Sequence, residues 1–125
     1  MNIVINIITV AVLVILFDSV YLHLIKDMFN KQIIDVQGSS VKMNIYGAIL
    51  CYIVIIFGLY YFIIKDHRSI FDAFLLGFVI YAIYELTNLA LLKKWSVIIV
   101  IIDSLWGGIL FAITTFIIYK INELL

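Results

Sequence analysis

Polar residues cut this chain into four long apolar stretches. The first covers residues 3–25 and, at roughly 23 residues, is long enough to cross a bilayer as a helix. It is longer than the roughly 7 to 15 residues of a signal-peptide core, and no basic start or small-residue cleavage site flanks it, so a retained helix is expected. Residues 26–40 are mixed. Phe29, Ile33 and Val36 recur at helical spacing between Lys31, Gln32 and Asp35, which predicts a short helix lying in the membrane interface before Gly38, Ser39 and Ser40 break it. The second span is expected over 41–64, where Gly47, Cys51 and Gly58 offer small faces for a neighbouring helix. After a charged turn at Lys65, Asp66, His67 and Arg68, Ser69 with Asp72 forms a capping pattern that opens a third span over 70–92. Lys93 and Lys94 suit its C-terminal dipole, and Ser96 can cap a fourth span over 97–119. Trp95 and Tyr119 are expected as interfacial aromatics.

Composition excludes a water-soluble domain. Of 125 residues, 66% are hydrophobic and 13% charged, with no proline, against about 45–50% apolar and about 25% charged in soluble domains. The expected fold is therefore an all-α, integral-membrane four-helix transmembrane bundle, forming one transmembrane domain over 1–125 with the lipid bilayer as its first partner. A net charge of zero gives no reason to expect nucleic acid. The single cysteine, Cys51, lies in an apolar run and reads as a packing residue. Lys26, Lys31, Lys42, Lys93 and Lys94 fall on the side of loops one and three; Lys65, Arg68 and Lys120 fall on the other. The positive-inside rule then places loops one and three in the cytoplasm.

The chemistry lies in three misplaced carboxylates. Asp18, Glu85 and Asp103 sit inside spans, each seven residues from an expected helix end, or about 10 Å at 1.5 Å per residue. Spans one and three end on the side where span four begins, so all three acids fall in one leaflet. On span three, Gly77, Tyr81, Tyr84, Glu85 and Asn88 share a face; on span four, Asp103, Trp106, Gly107 and Leu110 do. A lone carboxylate near mid-bilayer costs about 2.5–3.5 kcal/mol. A proton, a bound cation, water or hydrogen bonds from nearby Tyr, Trp, Thr and Asn must offset that. The candidate binding set is Asp18, Tyr21, Tyr81, Tyr84, Glu85, Thr87, Asn88, Asp103, Ser104 and Trp106. His23 points off the Asp18 face, though it is a candidate metal ligand or proton carrier; His67 reads as solvated.

At these positions the chain resembles a known family. Tyr84-Glu85-Leu86-Thr87-Asn88-Leu89-Ala90, then Trp95, then Asp103-Ser104-Leu105-Trp106-Gly107 is similar to the Y-D-L-T-N-x-A, W-P and D-x-x-W-G signature of small bacterial and viral membrane proteins grouped as domain-of-unknown-function family 2177. Asp18-Ser19-Val20-Tyr21-Leu22 resembles the family's D-x-x-W-L, with Tyr for Trp, and Phe29 matches an aromatic that follows it. Glu85 replaces the usual Asp and Ser96 the usual Pro. The resemblance implies a four-helix membrane protein and brings no activity with it. Asp18 to Tyr21 and Asp103 to Trp106 also repeat one tetrad, Asp-Ser-apolar-aromatic, in oppositely running helices.

Three functions compete. One is a site that binds or transports a proton, a cation or a small cationic molecule. Another is a structural or assembly protein of a cellular or viral membrane, working as a homo-oligomer. The third, a lipid-acting membrane enzyme using the acids as metal ligands or as acid and base, has no H-E-x-x-H or G-x-S-x-G motif behind it. No motif specifies a cofactor or a metal, and no TVGYG-like run suggests a channel filter.

Overall fold

The structure, a computed structural model, describes residues 2–125. Each of its four α-helices begins on a side-chain cap. Asn2 accepts from the Ile5 N–H at 2.8 Å, Asn44 from Gly47 at 3.1 Å, Ser69 from Asp72 at 3.0 Å and Ser96 from Ile99 at 3.3 Å, each satisfying a first-turn donor that the helix leaves unpaired. These caps open α1 (Ile3–Gln37), α2 (Ile45–Leu59), α3 (Ile70–Leu91) and α4 (Val97–Leu124). All four are long and apolar enough to cross a membrane, α2 together with the π-helical turn Tyr60–Ile64 that extends it. The chain is an integral, multi-pass membrane protein.

The residues expected as a separate interfacial helix are helical, but they continue α1 without a break. No glycine or proline interrupts residues 3–37, so the helix propagates until Gly38 ends it in the left-handed region (φ 80°), its N–H closing on the Ile34 carbonyl at 2.8 Å. With 35 residues, α1 is about 52 Å long, more than the roughly 30 Å of hydrocarbon. Its last turns therefore lie in the headgroup region or beyond. Residues 41–44, expected to open the second span, are not helical; α2 waits for the Asn44 cap.

α4 is the central element. It packs along α3 over most of its length and along α1 on its other side, while α2 packs on α1. The buried positions follow from this arrangement. α1 buries one stripe, Val10, Val14, Asp18 and Tyr21, whereas α4 buries two flanks that include Ser104, Gly107, Gly108, Phe111, Thr114 and Thr115. Between α3 and α4 the backbones touch. A methyl group at Gly77 would collide with the Gly107 carbonyl, and one at Gly107 with the Tyr81 ring and the Gly77 carbonyl. In lipid, where apolar burial gives no advantage over contact with acyl chains, this close approach is what makes two helices prefer each other.

The small residues of the second span play no such part. Nothing comes within 4 Å of a methyl group at Gly58, only Asn44 of the same helix lies near Gly47, and Cys51 is exposed. A small side chain permits close approach without causing it. α2 instead uses the bulky side of its C-terminal half, where Leu59, Ile63 and Ile64 are buried. The π turn adds a residue to that turn, with the Lys65 N–H reaching the Tyr60 carbonyl at 2.8 Å. Ile63 and Ile64 then both face the core.

Candidate functional site

The two repeated tetrads meet where α1 crosses α4, and they bond reciprocally. Tyr21 Oη on α1 donates to Asp103 Oδ1 on α4 at 2.9 Å, and Trp106 Nε1 on α4 donates to Asp18 Oδ1 on α1 at 3.0 Å. The two aromatic rings stack between these bonds, centroids 4.6 Å apart and planes within 5°. Antiparallel helices make this possible, because a residue three positions after each acid lies on its own face, one turn on, opposite the other helix's acid. The same contacts set Asp18 and Asp103 about one helical turn apart in depth.

Two further donors complete the set, and neither was in the sequence-derived site. Tyr52 Oη on α2 donates to Asp18 Oδ2, and Trp95 Nε1 in the α3–α4 loop donates to Glu85 Oε1 at 3.2 Å. Trp95, expected as an interfacial aromatic, is itself buried. The signal for Tyr52 was available: a tyrosine inside an apolar span needs a partner for its hydroxyl, and the Asp18 carboxylate needs donors. Glu85, only 1% exposed, and Asp103 lie within hydrogen-bonding reach of each other. The polar path thus runs from Tyr52 to Asp18 and Trp106, across the stacked rings to Tyr21 and Asp103, and on to Glu85 and Trp95.

Part of the candidate set falls outside this path. On α3 the buried line is Ala73, Gly77 and Glu85, with Tyr81 half-buried between them. At about 100° per residue, Tyr84 is turned a quarter-circle from Glu85 and Thr87 lies on nearly the opposite side. Accordingly Tyr84 is 54% exposed and Thr87 is exposed. Asn88 is half-buried and within hydrogen-bonding reach of Tyr84 rather than of the acids. Tyr81 lays its ring against Gly107 and edge-on to Phe111, and Ser104 is buried beside Asp103; neither hydrogen-bonds a carboxylate. His23 is exposed, away from the cluster, while His67 stacks on Tyr119 at 4.0 Å in the turn before α3.

The electrostatics are one-sided. The four donors are neutral phenols and indoles. Among the described residues the ion pairs, Arg68–Asp72 and Lys120–Glu123, stand at the opposite end of the bundle. No three His, Cys, Asp or Glu side chains among the described residues converge closely enough to hold a metal ion. The arrangement can hold one proton between Glu85 and Asp103, or attract a cation whose remaining ligands are water or the cation's own substituents. Pockets open elsewhere, one of about 330 Å³ beside Arg68 and Asp72 and one of about 210 Å³ where the end of α1 meets the start of α4.

No curated protein and no solved structure matches the chain. A family model does, over residues 3–120, a stretch that contains all four spans up to the end of the α4 core and every member of the carboxylate cluster. The chain belongs to the family described as predicted membrane protein (DUF2177).

Proposed function

We propose that this protein binds, and passes across part of the membrane, a proton or a small cation at the Asp18–Asp103–Glu85 cluster. One observation carries the reading: three carboxyl groups inside apolar helices are surrounded by neutral donors, with no cationic side chain among the described residues paired to them. Ionisable residues inside membrane spans are rare, mark proton and ion paths, and are functional candidates by default. Within the cluster the roles divide. Asp18, with two donors of its own, is the fixed acceptor. Glu85 and Asp103, within reach of each other, are the pair that exchanges a proton or takes the cation.

The reciprocal tetrads favour a second reading, in which the network is a clasp between α1 and α4 and the protein serves membrane structure or assembly, including as a homo-oligomer. Carbodiimide labelling in liposomes separates the two. The reagent attacks protonated carboxyls in apolar surroundings. On the transport reading, adducts form at Glu85 or Asp103, fade as pH rises and vanish in Glu85→Gln and Asp103→Asn. On the clasp reading no adduct forms at any pH, and the amide variants change only thermal stability.

A further inference from the structure

We propose that the pocket between the end of α1 and the start of α4 binds a phosphate ester, supplied by the headgroup of a membrane phospholipid. This goes beyond the carboxylate site. Ser96, in the pocket wall, precedes Asp103 by seven residues, or about 10 Å along α4.

Gln32 supplies the first argument. It is 4% exposed, and its Oε1 accepts from the Ser96 N–H at 2.7 Å. That bond fixes the carboxamide, since the flipped amide would set donor against donor. Nε2 is thereby left as a buried donor with no acceptor, and Gln32 lines the pocket of about 210 Å³. A buried donor left unpaired is destabilising, so an oxygen-bearing ligand at this place has a ready partner.

The second argument is the helix end itself. α4 has 28 residues, and its cap bonds are already assigned: Ser96 Oγ takes the Ile99 N–H, and Gln32 takes that of Ser96. The Val97 and Ile98 N–H groups of the first turn, next to the pocket residue Ser96, have no hydrogen-bond partner among the described residues, and the helix dipole favours an anion at this end. Lys31 and Lys94 line the same pocket, and neither forms an ion pair among the described residues. Lys94 stands in the left-handed region (φ 64°), which turns the chain sharply between α3 and α4 beside the pocket.

Depth identifies the source of the phosphate. Gln32 lies seven residues past the apolar stretch of α1, and Ser96 follows the Lys93, Lys94 and Trp95 turn, so the pocket sits at headgroup level. Asp35 is the one anion in the wall. It disfavours a bare phosphate and suits a headgroup that pairs phosphate with an ammonium, as ethanolamine lipids do.

The test is native mass spectrometry of the full chain released from micelles containing dioleoylphosphatidylethanolamine or dioleoylglycerol, which share acyl chains and differ in the headgroup. The phospholipid should be retained at least tenfold better. Lys31→Gln and Lys94→Gln, on exposed side chains, should each weaken retention about fivefold. Gln32→Glu keeps the acceptor for Ser96 but places an anion where Nε2 was; it should weaken retention more than tenfold in protein that remains helical by circular dichroism. Equal retention of the two lipids, or wild-type retention by Lys94→Gln and Gln32→Glu, would overturn the proposal. Displacement of the bound lipid by millimolar free phosphoethanolamine would assign the pocket to a soluble phosphate ester and overturn the headgroup reading.

Discussion

α4 holds its two neighbours by opposite means. Against α3 it offers the absence of side chains: Gly77 and Gly107 bring the backbones together, and Gly108 leaves room for the Phe74 ring. Against α1 it offers polar groups, Asp103 and Trp106, which bond crosswise to Tyr21 and Asp18. Shape sets the first seam and hydrogen bonding the second. In a solvent without hydrophobic drive both are workable, but they fail differently. A shape-held seam tolerates no added atom, while a bonded seam tolerates substitution in proportion to the donors left behind.

The largest effect should come from adding one methyl group to the shape-held seam. In Gly77→Ala the new atom meets the Gly107 carbonyl, a backbone group that no rotamer change can move. In Gly108→Ala it meets the edge of Phe74, whose ring can swing. Overpacking costs about 1–3 kcal/mol and occasionally more, so Gly77→Ala should lie at or above about 3 kcal/mol and Gly108→Ala near about 1. Gly58→Ala, with open space around it, should be neutral or stabilising by about 0.5 kcal/mol. Unfolding titrations in mixed micelles would rank the three. Equal losses at positions 58 and 77 would mean that the seam is not packed as described.

A smaller effect separates two identical substitutions in the bonded seam. Among the described residues, Tyr21→Phe removes the only phenol or indole that donates to Asp103, whereas Tyr52→Phe leaves Asp18 with the Trp106 indole. Interhelical hydrogen bonds in membranes average about 0.6 kcal/mol and reach about 1.7. Tyr21→Phe should approach the upper figure and Tyr52→Phe the lower, measured by the same titrations. If the order reverses, the α1–α2 contact carries more of the fold than the α1–α4 clasp.

The contrast between the seams also explains what the sequence could show. Caps at Ser69 and Ser96 and the stop at Gly38 are local, set by residues a few positions apart, and the chain displays them directly. The repeated tetrad was visible as well, since its partners sit at fixed spacing on two antiparallel helices. Which small residues would touch was not visible. Gly47, Cys51 and Gly58 look much like Gly77, Gly107 and Gly108 in one dimension, and only the choice of neighbours tells them apart. The same holds for Tyr52, Trp95 and Gln32, whose partners Asp18, Glu85 and Ser96 lie on other elements or in the adjoining loop. Tyr84 and Thr87 stand close to Glu85 in sequence, and the helix turns them away from the cluster.

Glu85 is where the two seams meet, and of the polar substitutions it should give the smallest change in stability. It is the one acid on the face α3 turns to α4, buried between Asp103 and the Trp95 indole. In Glu85→Gln the amide oxygen still accepts from Trp95, and the amide N–H₂ supplies Asp103 with a donor whatever the pH. Both contacts survive, so the change should stay within about 0.6 kcal/mol of zero, the average value of one such bond. What the substitution removes is the exchangeable proton. Glu85→Gln should therefore fold, keep the Trp95 emission of the wild type and lose its pH-dependent carbodiimide labelling. A protein that unfolds instead would show that the charge on Glu85, and not the hydrogen bonds around it, joins the shape-held half of the bundle to the bonded half.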